Sequence, residues 1–116
     1  VGNSRQADRY RDGRVLLAGD AAHVFSAGGA ALNAGLNDAL ALAATLTTAM
    51  RVGPDEAVLD DYHAQRHAAG QRTLAHTRVQ HTLETADHTG DALRDVFADL
   101  LEDRSTARRI ATLIEG

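Results

Sequence analysis

The stretch Asp12-Gly-Arg-Val-Leu-Leu-Ala-Gly-Asp20 decides how this chain reads. Val15-Leu16-Leu17-Ala18 is a continuous apolar run, too short for a helix, with Asp12-Gly13 before it and Gly19-Asp20 after it. A run bounded in this way by turn residues predicts a strand over about residues 14–18, buried on both faces. One strand cannot satisfy its own edge hydrogen bonds. Its partners must come from residues 1–8 or from chain outside this sequence. Asp20 then stands at the carboxyl end of a strand, where ligands of open α/β sheets collect.

Downstream of Asp20 the pattern changes. A glycine-bearing stretch from Ala21 to Asn33 contains Gly28-Gly29, and helical periodicity follows it. Leu32, Leu36, Leu40, Ala43, Leu46 or Thr47, and Met50 fall on one stripe, with Ala39, Ala43 and Ala44 small enough for a neighbour to come close. Gly53-Pro54-Asp55-Glu56 reads as a stop and restart, with proline at the first helical position and acids in the first turn. The next helix carries Val58, Tyr62, Arg66, Ala69 and Thr73, reaching toward Leu83 across a Gly70 that costs about 1 kcal/mol against alanine. Residues 86–90 break the pattern. Leu93, Val96, Phe97, Leu100 and Leu101 then mark an amphipathic helix, and Ser105 is the expected N-cap of a last one bearing Ile110, Leu113 and Ile114. The expected fold class is mainly α, with one short strand and about four helices. The chain divides into residues 1–33 (strand and loop), 34–85 (two helices) and 86–116 (a helical pair), acting as a single unit.

Composition narrows the functions available. The chain has 116 residues, 44% hydrophobic but only 3% aromatic, with 23 alanines and no lysine, so the expected core is Ala, Leu and Val. A chain of this length buries roughly two-thirds of its unfolded surface. Net charge −4, with acids and arginines interspersed, excludes a nucleic-acid reader of the usual basic kind. No stretch approaches the roughly 18–20 apolar residues of a membrane span. The absence of cysteine excludes disulfides, thiolate zinc sites and a cysteine nucleophile, and fits a cytoplasmic setting. No cationic, apolar signal segment opens the chain, and its first residue is Val rather than Met, so a processed or excised product is expected.

Asp20 is acceptor-only and suits a sugar or ribityl hydroxyl. Paired glycines let backbone approach a flat or anionic group, and the N–H groups of the following helix start favour negative charge there. From spacing alone, a capping aspartate and an ordinary glycine turn are the favoured reading, since glycine-rich turns before helices are common. The remaining candidates have plainer readings beside them. His63 and His67 lie i, i+4 on a helix, the spacing of a metal face, but no third ligand is placed by the sequence. His23 either approaches a ligand or packs the loop. Arg108-Arg109 either binds phosphate or coats a helix. Ser26, His23 and Asp20 are too close in chain to converge as a triad, and no Gly-x-Ser-x-Gly elbow exists.

The run Asp12 to His23 resembles the second flavin-binding motif of the para-hydroxybenzoate hydroxylase-type FAD monooxygenases. Arg5 to Tyr10, Leu59 to His67, Asp91 to Phe97 and Arg108 to Ala111 are similar to the branch that hydroxylates aromatic polyketides. The resemblance implies a fragment of an FAD-binding α/β fold in which Asp20 accepts from a ribityl hydroxyl of FAD. The family's Gly-Gly-x-Gly-x-Asn turn falls on Gly28, Gly29, Ala30, Ala31, Leu32 and Asn33, whose backbone N–H groups would face the pyrimidine edge of the flavin. It further implies NAD(P)H as reductant, O2, and a phenolic or polyketide ring as substrate, with no catalytic side chain and no metal required. This chain departs from the pattern in lacking proline before Gly28-Gly29, in Ala30 and Ala31, and in Gln65 and Ala68 where Glu and Pro are usual. No Gly-x-Gly-x-x-Gly is present, so the nucleotide half of FAD has no cradle here and the segment alone is expected to be inactive. The other reading is a cofactor-free helical scaffold that self-associates as a homodimer or docks on a missing domain.

Overall fold

A computed structural model describes residues 3–26, 30–53, 55–85 and 87–115, with side chains to residue 113 in the last helix. Four strands of two residues each open the chain: β1 (Arg5–Gln6), β2 (Arg11–Asp12), β3 (Val15–Leu16) and β4 (His23–Val24). β2 and β3 form a hairpin in the register Arg11↔Leu16 and Asp12↔Val15. Gly13 holds φ +59 at the first loop position, as a two-residue loop of the II′ kind requires. β1 pairs with β4, Gln6 opposite His23. The strand expected over 14–18 is therefore shorter, and it is one of four. Its partner is the segment just before it, residues 11–12 rather than 1–8. It is not buried on both faces either, since Val15 is 62% exposed. A two-stranded ribbon offers one neighbour and leaves the other side open.

Four helices follow: α1 (Ala30–Val52), α2 (Glu56–Glu84), α3 (His88–Leu101) and α4 (Arg104–Glu115). Aspartates start three of them. Asp55 accepts from the Ala57 amide and Asp87 from the Gly90 amide, each satisfying an N–H that the helix leaves free. Asp55 is thus a cap rather than a first-turn acid, and Pro54 lies outside the described residues. At α4 the cap is Asp103, whose Oδ2 accepts from the Thr106 amide and hydroxyl at 2.8 Å. Ser105, the expected cap, sits inside the first turn. The side chain of Ile114 lies outside the described set.

α2 runs unbroken through Gly70 because that glycine is a docking point. A Cβ there would stand 2.4 Å from Gln6 Nε2 and 2.5 Å from the Tyr10 hydroxyl. Only the missing side chain lets the β1 segment lie on the helix. The stripe Val58, Tyr62, Arg66, Ala69 and Thr73 does face inward.

α1 contradicts its expected face. Leu32, Leu36, Leu40 and Met50 are 70%, 56%, 72% and 87% exposed, while Ala34 and Asp38 are buried. The expected approach points Ala39, Ala43 and Ala44 are exposed too. α1 is apolar on two sides, and α2 takes the one with the smaller residues. On α3, Leu93 and Phe97 are half-buried, whereas Val96, Leu100 and Leu101 are exposed. The core also differs from the compositional expectation: it centres on Tyr10, Tyr62 and Ala22, with Phe25, Ala34 and Leu59 buried nearby. Three of the four aromatic residues are spent there.

Candidate functional site

The turn after β3 is fixed from several directions. Gly19–Ala21 forms a single 3-10 turn, closed by the Ala22 amide donating to the Gly19 carbonyl at 2.9 Å. The Ala7 amide donates to Ala22 O at 2.8 Å, and the Leu17 amide to Tyr10 O at 2.8 Å, tying both flanks to the first segment. Tyr62 donates its hydroxyl to Leu17 O at 2.6 Å from α2. Burial, chiefly, holds the Tyr62 phenol up at about 12, with the nearby Asp38 charge acting in the same direction.

Beneath the turn lies a charged cluster that sequence reasoning did not single out. Asp38, on α1 and fully buried, accepts from the Gly19 amide at 3.0 Å and from His23 Nε2 at 2.6 Å through Oδ2, and from Arg66 Nε at 2.7 Å through Oδ1. Burial pushes the Asp38 carboxyl up, but the hydrogen bonds from His23, Arg66 and the Gly19 amide together outweigh it and hold the group below the ordinary carboxylate range. The carboxylate is an acceptor, so the His23 proton on that side resides on Nε2. The His23 ring stacks on Phe25 at 4.8 Å, and its Nδ1 has no partner among the described residues. His23 is therefore a packing residue bound to α1. A lone carboxylate at position 38 amid Ala and Leu was the signal, with an arginine on the inward stripe of the next helix to match it.

Asp20 sits on the outer side of the turn. It is exposed, and its carboxylate has no hydrogen-bond partner among the described residues. The turn packs on α1 at Gly35, where a Cβ would meet Gly19 Cα at 3.4 Å. One turn earlier lie Ala30 and Ala31, half-buried, and Leu32 and Asn33, exposed, in a helix start with no acidic side chain. Gly28 and Gly29 lie outside the described residues. An unpartnered acceptor and a helix start free of carboxylates suit a group that carries hydroxyls at one end and an electron-rich edge at the other.

The other candidates resolve differently. His63 Nδ1 accepts from the Tyr10 amide at 3.0 Å, and the His67 ring meets Tyr10 edge-on at 5.5 Å, so the pair packs the first segment onto α2. Among the described residues no group of three metal-ligating side chains gathers. Ser26 exchanges hydrogen bonds with Ser4, away from His23. Arg108 and Arg109 are exposed on α4. No described helix is long and apolar enough to cross a membrane.

The family described as FAD binding domain matches residues 2–77, a span that holds the turn, the buried cluster, α1 and most of α2. This chain belongs to the FAD binding domain family. FAD is accordingly its cofactor, and the residues just described fit it. The chain is 44% identical over 114 residues to an uncharacterized aromatic compound monooxygenase of Bacillus subtilis, covering 97% of this chain and 23% of that protein. It is 52% identical over 98 residues to a dialkyldecalin synthase of Streptomyces rugosporus, covering 84% of this chain and 21% of that one. The anhydrotetracycline hydroxylase structure from Streptomyces rimosus superposes with a TM-score of 0.87 at 42% identity, over 97% of this chain and 23% of that one. The chain thus spans about a quarter of the length of the relatives it matches, a mainly helical fragment of their fold.

Proposed function

We propose that this chain is the part of a flavin-dependent aromatic hydroxylase that holds the ribityl and pyrimidine side of FAD. The observation that carries this is the exposed, unpartnered Asp20 on a turn that four elements hold in place. Asp20 accepts from a ribityl hydroxyl. The backbone N–H groups of Ala31, Leu32 and Asn33 at the start of α1 face the pyrimidine edge and favour the negative charge of the reduced ring. Bound FAD supplies the redox chemistry, reduction by NAD(P)H and activation of O2 toward an electron-rich ring. The protein's residues bind, orient and stabilise charge, and none acts as nucleophile.

The family match supports the cofactor, and the relatives' names bear only on the reaction. A monooxygenase and a dialkyldecalin synthase share this segment at comparable identity, which supports a role common to different reactions, such as holding the cofactor. Hydroxylation of a phenolic or polyketide ring is favoured by the monooxygenase and hydroxylase names. The test is FAD titration of a chimera in which this chain replaces the matching quarter of a full-length relative. Asp20→Ala is expected to weaken FAD about tenfold, the scale of one charge-assisted hydrogen bond. An unchanged affinity sinks the assignment of Asp20.

A further inference from the structure

Asp38 does not touch the cofactor in the reading above, yet three donors converge on it: the Gly19 amide, His23 Nε2 and Arg66 Nε. Two of these, Gly19 and His23, lie one residue before and three residues after Asp20. The exposed carboxylate therefore rides on a loop whose two ends are pinned to a single buried carboxylate on α1. Gly35, three residues before Asp38 on the same helix, lets the loop come close, since a Cβ there would already be 3.4 Å from Gly19 Cα. Arg66 brings α2 to the same point. Burying charge is a poor way to gain stability alone, because desolvation offsets much of the attraction. A buried carboxylate that selects one loop conformation has a clearer use.

We propose that Asp38 is a positioning residue for the cofactor: by pinning Gly19 and His23 it fixes the backbone that presents Asp20, and FAD affinity depends on it without contact. This rests on the assignment of Asp20 to the ribityl chain. All three partners of Asp38 are donors, so the position demands an acceptor on both oxygens. Asparagine offers one acceptor and sets its NH2 against a donor. The loop then loses at least one pin while the helices keep their apolar contacts.

The experiment is a double-mutant cycle on FAD affinity in the chimera, read by flavin fluorescence, with amide exchange measured on the 116-residue chain itself. Asp38→Asn is expected to raise Kd about tenfold, as Asp20→Ala does, with the double variant little worse than either single one. It should also speed exchange at the Gly19 amide while amides in the middle of α2 stay protected. His23→Leu should behave like Asp38→Asn, and His23→Gln, which keeps a donor near the Nε2 position, should restore most of the loss. These two variants serve if Asp38→Asn does not fold. Multiplying effects, which mark two independent contributions, overturn the proposal. So does an unchanged Kd in Asp38→Asn or in His23→Leu. A null result for Asp20→Ala overturns the assignment of Asp20 and the positioning role with it, whereas a null result for Asp38→Asn beside a weakened Asp20→Ala overturns the positioning role alone.

Discussion

At residue 70 two physical effects oppose one another, and the structure decides the sign. Alanine is the better helix former by about 1 kcal/mol, so Gly70→Ala would stabilise an isolated α2. In the folded chain its Cβ meets Gln6 Nε2, which can swing away, and the hydroxyl of the rigid, buried Tyr10, which cannot. Gly70→Ala is expected to destabilise by about 1–2 kcal/mol net, as overpacking does, and thermal unfolding of the two proteins checks it. Buried ionisable groups set the pH limits, Asp38 on the acid side and Tyr62 with Tyr10 on the alkaline side. Asp38 has a lowered pKa in the fold, so its contribution is present above the unfolded value of about 3.9 and is lost as pH falls through the lower folded one. Tyr62 has a raised pKa, so its contribution is full below the unfolded value of about 10 and is lost as pH rises toward about 12. Stability measured against pH should fall at both ends, and Tyr62→Phe should make the alkaline slope shallower, leaving the part that the buried Tyr10, also raised by burial, contributes. The acceptor role proposed for Asp20 was open to sequence reasoning because its neighbours in chain define the turn. Asp38 was not, because its partners are 19, 15 and 28 residues away and no local pattern links them.

Among the elements, α4 shows how a cap is chosen. Asp103 and Ser105 are both competent N-cap types, and only the helix start distinguishes them. Asp103 accepts two hydrogen bonds from Thr106 and its carbonyl accepts the Ala107 amide at 2.9 Å, so the helix begins one residue before Ser105. Asp103→Ala should cost roughly 1 kcal/mol and lower helicity, whereas Ser105→Ala should be nearly neutral; circular dichroism melts separate the two. α1 teaches the complementary lesson. Periodicity located the helix and showed an apolar stripe through Leu32, Leu36 and Leu40, but this stripe is not the face that α2 covers. Hydrophobic period reports that a face will be buried, not by what. On α2 the inward stripe was legible because Tyr62 and Arg66 have partners within this chain, Leu17 and Asp38.

The whole molecule is more extended than a self-contained domain. Its radius of gyration is 17.1 Å and its extents are 55 × 31 × 18 Å, against about 13 Å expected for a compact chain of this length. The reason lies in the distribution of apolar surface. The buried centre is small, while Leu32, Leu36, Leu40 and Met50 on α1 and Val96, Leu100 and Leu101 on α3 are open to solvent. A groove of about 400 Å³ between α2, α3 and α4, walled by Val79, Leu83, Phe97, Leu101 and Leu113, adds to that surface. Patches of this kind are rare on monomers and mark interfaces. The isolated chain is expected to bind a hydrophobic dye and to self-associate with rising concentration. Leu36→Glu with Leu40→Glu should reduce both effects. A dye-free monomer at every concentration in sedimentation would count against this reading. In the chimera the same surfaces should be covered and the dye signal lost.

What the sequence determined alone is whatever neighbouring residues decide together: the Gly13 turn, the helices and their breaks, the Gly-Asp motif and the kinship with FAD-binding proteins. These depend on backbone preference and on short-range spacing, which a linear reading contains. The tertiary structure decided the rest. It set which face of α1 is buried, made Gly70 a contact, placed two tyrosines at the centre and gathered Gly19, His23, Asp38 and Arg66 into one cluster. Each of these depends on groups far apart in chain meeting at a few ångströms, where burial and hydrogen bonding outweigh local propensity.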